Sequence, residues 1–140
     1  MKKILLIMIG LSCLLQAEIT RDSNTGIVSD TATQLEWQDN AVGSAKAWEV
    51  AITQCETLTL GGHSDWRLPN INELKSIVDR SKFNPTAVTG FINVDYYAYW
   101  SSSTYEGGKN SVWILGFYSG YTDTNVKNSN YYFKCVRDGQ

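Results

Sequence analysis

Residues 65–74 read Asp65-Trp66-Arg67-Leu68-Pro69-Asn70-Ile71-Asn72-Glu73-Leu74, and the run turns on Asn70. A short polar side chain at that point can accept from the free amides of a helix's first turn. Glu73 stands three residues on, where a carboxylate reaches back to the cap. Leu74, Ile77 and Val78 continue as an apolar stripe at helical spacing, and the pattern stops at Arg80. Pro69, with its fixed φ, sets the angle at which the chain enters this helix. Trp66 and Leu68 are expected to fill the core, because a large aromatic is far more often core than contact. Arg67 between them is expected to pair with an acid or a carbonyl.

Upstream, Ala45, Trp48, Ile52 and Cys55 recur at spacings of three and four. That is one face of a first helix, with Ser44 as its expected N-cap and Cys55 near its end, pointing inward. Gly61-Gly62 stops it. Earlier still, Asp22 to Gly26 is a turn cluster, residues 26–30 read as a short strand, and residues 31–34 turn again. Leu35 and Trp37 then share one face of a second strand, so this region reads as strand-turn-strand. Downstream, residues 81–97 lose periodicity, and a long irregular segment in a small domain is more often functional or variable than core. Residues 99–102 form a short strand and residues 104–110 a loop with Gly107-Gly108. Val112 to Phe117 is a firmly apolar strand. Residues 118–130 read as polar and turn-rich, and residues 131–137 as a closing strand that holds Cys135. Strands, two helices, then strands make an α+β arrangement of helices packed on antiparallel strands. No repeat or low-complexity segment interrupts it.

The ends bound the compartment. Met1-Lys2-Lys3 precedes an apolar run over residues 4–15, and Ala17 offers a small residue for cleavage. This is the layout of a secretory signal peptide over residues 1–17, too short for a membrane span of about 20 residues. It leaves one domain over residues 18–140, expected to be secreted, periplasmic or at the cell surface. Lipidation at Cys13 is the lesser reading, since Leu11 stands one place too late for that signal. The expected leader carries two of the chain's twelve basic residues and no acid, so the remainder has ten basic against fourteen acidic residues. Such a balance is no polybasic footprint, and it makes nucleic acid and anionic membrane surfaces poor partners. Cys55 and Cys135 remain as an even pair in an oxidising compartment, where a disulfide is the default.

Taken in order, several blocks resemble one family. Gly26-Ile27-Val28-Ser29-Asp30-Thr31-Ala32-Thr33, with Leu35 and Trp37-Gln38 after it, is similar to the opening of the Lcl C-terminal domain family. Gly61-Gly62 with Asp65-Trp66-Arg67-Leu68-Pro69-Asn70 and Glu73-Leu74 resembles its central signature. Trp100-Ser101-Ser102-Ser103 and Cys135-Val136-Arg137 resemble its later blocks. Gln34 stands where that family usually has glycine, and Glu36 where it is usually apolar. The resemblance implies a C-type-lectin-like fold, in which a disulfide joins the first helix to the last strand. It also implies a bacterial surface or secreted module, with adhesins for sulfated polysaccharides among its better understood members. The Glu-Pro-Asn and Trp-Asn-Asp motifs of calcium-dependent lectins are lacking, so no calcium-bridged sugar site is implied.

The expected function is ligand binding, of an extracellular or envelope glycan, with a surface protein or a second copy of the chain as the alternative partner. Tyrosines offer an apolar face and a polar tip that suit sugar rings and protein surfaces alike. Loop-borne Tyr96, Tyr97, Tyr105, Tyr118 and Tyr121 are the expected contacts, with Lys127 beside them, while Trp100 and Trp113 are expected in the core. Lys82, Lys109, Lys127 and Lys134 are possible cationic contacts to a sulfated ligand. Asp123, Asn125, Asn128 and Asn130 carry one charge between them and read as an ordinary Asx-turn loop, not a calcium site. His63 has no cysteine or histidine at ligand spacing, and Ser101 to Ser103 lack a nucleophile elbow. Asp65, Glu73 and Asp79 make no persuasive carboxylate pair. Neither catalysis nor a cofactor or metal is expected.

Overall fold

A computed structural model describes residues 16–139. The expected leader, with Cys13, lies outside the described residues apart from Gln16 and Ala17. Strands β1 (Ile19–Arg21), β2 (Ile27–Asp30) and β3 (Leu35–Gln38) come first, followed by helices α1 (Trp48–Glu56) and α2 (Ile71–Ser76). Strands β4 (Ala98–Thr104), β5 (Ser111–Gly116), β6 (Tyr121–Val126) and β7 (Val136–Asp138) complete the order. They form two antiparallel sheets, β1-β2-β3-β7 and β4-β5-β6. The helices lie against the second sheet, α1 on β4 and α2 on β4 and β5. The α+β class, the two helices and the antiparallel pairing follow the sequence reading.

Leu35 and Trp37 are buried in β3 while Glu36 and Gln38 are half-buried, the alternation of a strand with one covered face. The β2–β3 turn places Gln34 at φ 58°. This left-handed conformation is strained for a Cβ-bearing residue and free of that strain for glycine. Helix α2 has the capping box. The Glu73 amide donates to Asn70 Oδ1 at 2.8 Å, and the Asn70 amide to Glu73 Oε1 at 2.9 Å. It ends at Ser76, earlier than the apolar stripe suggests, because Val78 is drawn into a bridge with Ala87. Helix α1 also starts late. Lys46 exchanges both backbone hydrogen bonds with Tyr131, which keeps the chain extended past Ser44. Ala47 is the N-cap and caps with no side chain, and the Trp48 amide finds the Lys127 carbonyl at 3.0 Å.

Strand β6 corrects the reading of residues 118–130 as turns. It pairs with β5 along its whole length, from Ser111 opposite Val126 to Gly116 opposite Tyr121. As an edge strand it leaves its side chains largely exposed, so no apolar alternation marks it. The closing strand is shorter than residues 131–137. Tyr131 and Tyr132 make isolated bridges to Lys46 and Tyr99 before β7 begins.

Two apolar clusters fill the interior. Val28, Trp37, Leu74, Tyr99, Leu115 and Phe117 belong to the first. Ala51, Trp66, Leu68, Trp100 and Ile114 belong to the second, with Cys55 and Cys135 among them. Those cysteines form a disulfide with Cα atoms 5.3 Å apart, tying α1 to the residue just ahead of β7. Closing a loop of that sequence separation, 80 residues, stabilises by about 4 to 5 kcal/mol in the chain-entropy model. The signature block belongs to this frame. Trp66 and Leu68 are buried, and Pro69 beside them is buried too. Arg67 forks onto both Glu73 oxygens at 2.7 Å and reaches Asp138 at 2.9 Å.

Lys134, considered above as a surface cation, is instead buried, with 1 % of its side chain exposed beside a fully buried Asp39. Its ammonium donates to Asp39 Oδ1 at 2.6 Å and to the Asn93 carbonyl at 2.9 Å. The other Asp39 oxygen takes Arg21 and the amides of Ile92, at 2.9 Å, and Asn93, at 3.2 Å. Burial pushes the Lys134 pKa down, and Asp39 acts against that shift.

Asp39→Ala is expected to destabilise the domain by about 3 to 5 kcal/mol in urea titrations, because it strands a buried ammonium. Adding Lys134→Met to it should recover part of the loss, and a single-variant cost under about 1 kcal/mol would show that the pair carries no structural weight.

Acid should weaken the fold. Burial raises the Glu73 pKa, but Arg67 and the Asn70 amide outweigh it and hold the carboxyl low, and Arg137 holds Asp65 low. A depressed folded pKa makes the unfolded chain the better proton binder. The stability from these groups is therefore complete above the unfolded carboxyl pKa, about 4, and is lost as pH falls through the lower folded values. Melting temperature should drop across that window, and Glu73→Gln should flatten the drop.

Candidate functional site

The register of the second sheet brings Ala98, Gly116 and Tyr121 into one row and Trp100, Ile114 and Asp123 into a neighbouring row. The rows are two residues apart along each strand, so they share a face. Above that face lies a groove of about 360 Å³ lined by Tyr97, Ala98, Ile114, Gly116, Tyr118, Tyr121, Thr122, Asp123 and Tyr131. A second recess of about 290 Å³ adjoins it, sharing Tyr97, Ala98 and Tyr131 and adding Ala45, Asn130 and Tyr132.

Each aromatic wall has an identifiable support. Tyr118 lies directly over Gly116, so closely that a Cβ there would run into its ring. Tyr131 stands edge-on to buried Trp100, with ring centroids 4.9 Å apart, and its hydroxyl accepts from Asn125 Nδ2 at 2.6 Å. Tyr97 stacks on Tyr132 at 5.6 Å with rings nearly parallel, and its carbonyl takes the Phe117 amide at 3.1 Å. Tyr96 leans on Tyr97 at 4.3 Å, and their hydroxyls are 3.0 Å apart. That shared hydrogen bond pushes the Tyr96 phenol above its ordinary pKa. Tyr121 is 65 % exposed, with the Arg80 guanidinium 4.8 Å from its ring centre.

Of the residues expected as contacts, Tyr97, Tyr118 and Tyr121 meet in the groove, and Tyr96 adjoins it through Tyr97. Tyr105 and Lys127 lie elsewhere. Tyr105 stands edge-on to Trp113 at 5.4 Å, and Trp113 is half-buried, not core. Trp113 is one residue from Ile114 on β5, so it faces the opposite side of the sheet from the groove. The Lys127 ammonium rests 4.3 Å over the Trp48 ring, near Lys109 and Glu49 in a separate recess. The sequence reading missed Tyr131, Tyr132 and Asp123 as groove residues. The first two fall in the expected closing strand, and Asp123 in the stretch expected to be turn-rich. No apolar alternation marks β6, so only its pairing with β5 shows that Tyr121 and Asp123 share a face. Among the described residues, no group of three or more His, Cys, Asp and Glu side chains stands ready to hold a metal ion.

Gly116→Ala is expected to keep the fold, with a stability change within about 1 kcal/mol, while displacing the Tyr118 ring. The obstacle to the new methyl is the end of a mobile side chain, so NMR contacts between that ring and position 116 should vanish without loss of the circular dichroism of the sheet.

No curated protein matches the chain. The model of the Lcl C-terminal domain matches residues 26–137, a span that holds β2 to β6, both cysteines and the whole groove. On that match, which covers most of its length, the chain belongs to the Lcl C-terminal domain family.

Proposed function

We propose that this protein is an exported or cell-surface binding module of C-type-lectin-like fold, and that its tyrosine groove holds a glycan. One observation carries the reading: Tyr97, Tyr118, Tyr121 and Tyr131 converge on one open groove. Their flat faces match the apolar C–H faces of pyranose rings, and their hydroxyls can bond sugar hydroxyls at the rim. The disulfide between α1 and the final segment supports both the fold and an oxidising compartment. The groove also favours binding over catalysis. Its lining is dominated by aromatic faces and carries one carboxylate, Asp123, and neither histidine nor cysteine.

A protein partner is the second reading, favoured by Phe83 and Ile92, which are 82 % and 71 % exposed outside the groove. Isothermal titration against oligosaccharides selected on a glycan array separates the two. Tyr97→Ala and Tyr118→Ala should each weaken glycan binding by about 1 to 2 kcal/mol, roughly five- to thirtyfold, and Tyr105→Ala should leave it unchanged. Silence from neutral, amine-bearing and sulfated glycans alike would end the glycan reading. A protein ligand that depends on Phe83 and Ile92 would establish the alternative.

A further inference from the structure

We propose that the groove takes a linear segment of an amine-bearing polysaccharide, with a sugar ammonium set against Asp123. The inference rests on the glycan reading and specifies its ligand class. Asp123 is the one charged residue in the groove lining. One of its oxygens accepts from the Thr124 amide at 2.8 Å, and it takes part in none of the ion pairs among the described residues. A cation in the groove therefore meets a carboxylate that has capacity to accept, beside tyrosine rings whose π faces also attract positive charge.

None of the four lysines considered for a sulfated ligand lines the groove. Lys134 is buried on Asp39, Lys127 lies over Trp48, Lys82 donates to Thr89 Oγ1 at 2.5 Å, and Lys109 lines the separate recess beside Lys127. Arg80 borders the groove at Tyr121, but it rests on that ring and donates to the Gly120 carbonyl at 2.8 Å. A sulfate ester in the groove would face Asp123 with no cation in the lining to compensate it. The acidic balance of residues 18–140, fourteen acids against ten bases, steers a cationic polymer inward and a polyanion away. The form of the groove points to an internal chain segment. The two recesses adjoin at Tyr97, Ala98 and Tyr131, which offers successive rings neighbouring places.

The test is titration of the intact domain with three oligomers of matched length, in mildly acidic buffer that keeps amines protonated. They are a β-1,4-glucosamine tetramer, its fully N-acetylated counterpart and a sulfated heparin tetramer. The glucosamine tetramer should bind tightest, and Asp123→Asn should cost it about tenfold while leaving the N-acetylated oligomer unaffected. Asp123 is exposed on an edge strand, so this variant keeps the frame, which circular dichroism verifies. Equal or tighter binding of the N-acetylated or sulfated oligomer, or no selective loss in Asp123→Asn, overturns the amine assignment while the glycan reading stands. Binding of none of the three overturns both.

Discussion

The Lys134 ammonium sits in the interior with Asp39 as its counter-ion, at 2.6 Å. A buried ammonium is tolerable only when its charge is met and its protons are accepted. Here that requirement draws three distant segments together. Asp39 follows β3, Asn93 lies in the irregular stretch before β4, and Lys134 lies just ahead of β7. The next residue, Cys135, is bonded to α1. The irregular stretch ahead of β4 is thus fixed through Ile92 and Asn93, a few residues before Tyr96 and Tyr97 enter the groove region. An irregular path becomes a rigid support because a carboxylate can collect several amides at once.

The two sheets divide the work. The four-stranded sheet, with Arg67, Glu73, Asp65 and Arg137 across its end, is a frame of paired charges around an apolar centre. The three-stranded sheet carries the groove. Its floor residues are small or aliphatic, Ala98, Gly116 and Ile114, and this leaves room for tyrosines supplied by neighbouring segments to stand as walls. A glycine in the middle of a strand usually weakens it, but at position 116 its lack of a side chain is what admits the Tyr118 ring.

Local chemistry made part of this legible from the chain alone. The Asn70–Glu73 capping box, the Leu35/Trp37 alternation and the cysteine pair each act over short distances or by simple count, and each stands in the structure as read. The start of α1 was misplaced because a distant partner, Tyr131, competes with Ser44 for the local backbone. Strand β6 was missed because an edge strand open to water has no apolar period to reveal it. Burial of Lys134 carries no local signal at all, since its partner Asp39 lies 95 residues away. Of the groove, three tyrosines were visible as loop aromatics. Which of them converge depends on strand register, and that is a property of pairing, not of composition.

Residues 131–138 have several duties in succession. Tyr131 and Tyr132 build a groove wall, Lys134 neutralises Asp39, Cys135 closes the staple, and Val136 to Asp138 pair with β3. Every one of these partners is made earlier by the ribosome, and each must wait. A nascent chain that has not reached Tyr131 leaves Asp39 without its ammonium, Cys55 without its bonding partner and β3 with an open edge at the same moment, the kind of long-range dependence that slows folding. A chain stopped before that stretch lacks a groove wall, the covalent staple and the last strand of the four-stranded sheet all together.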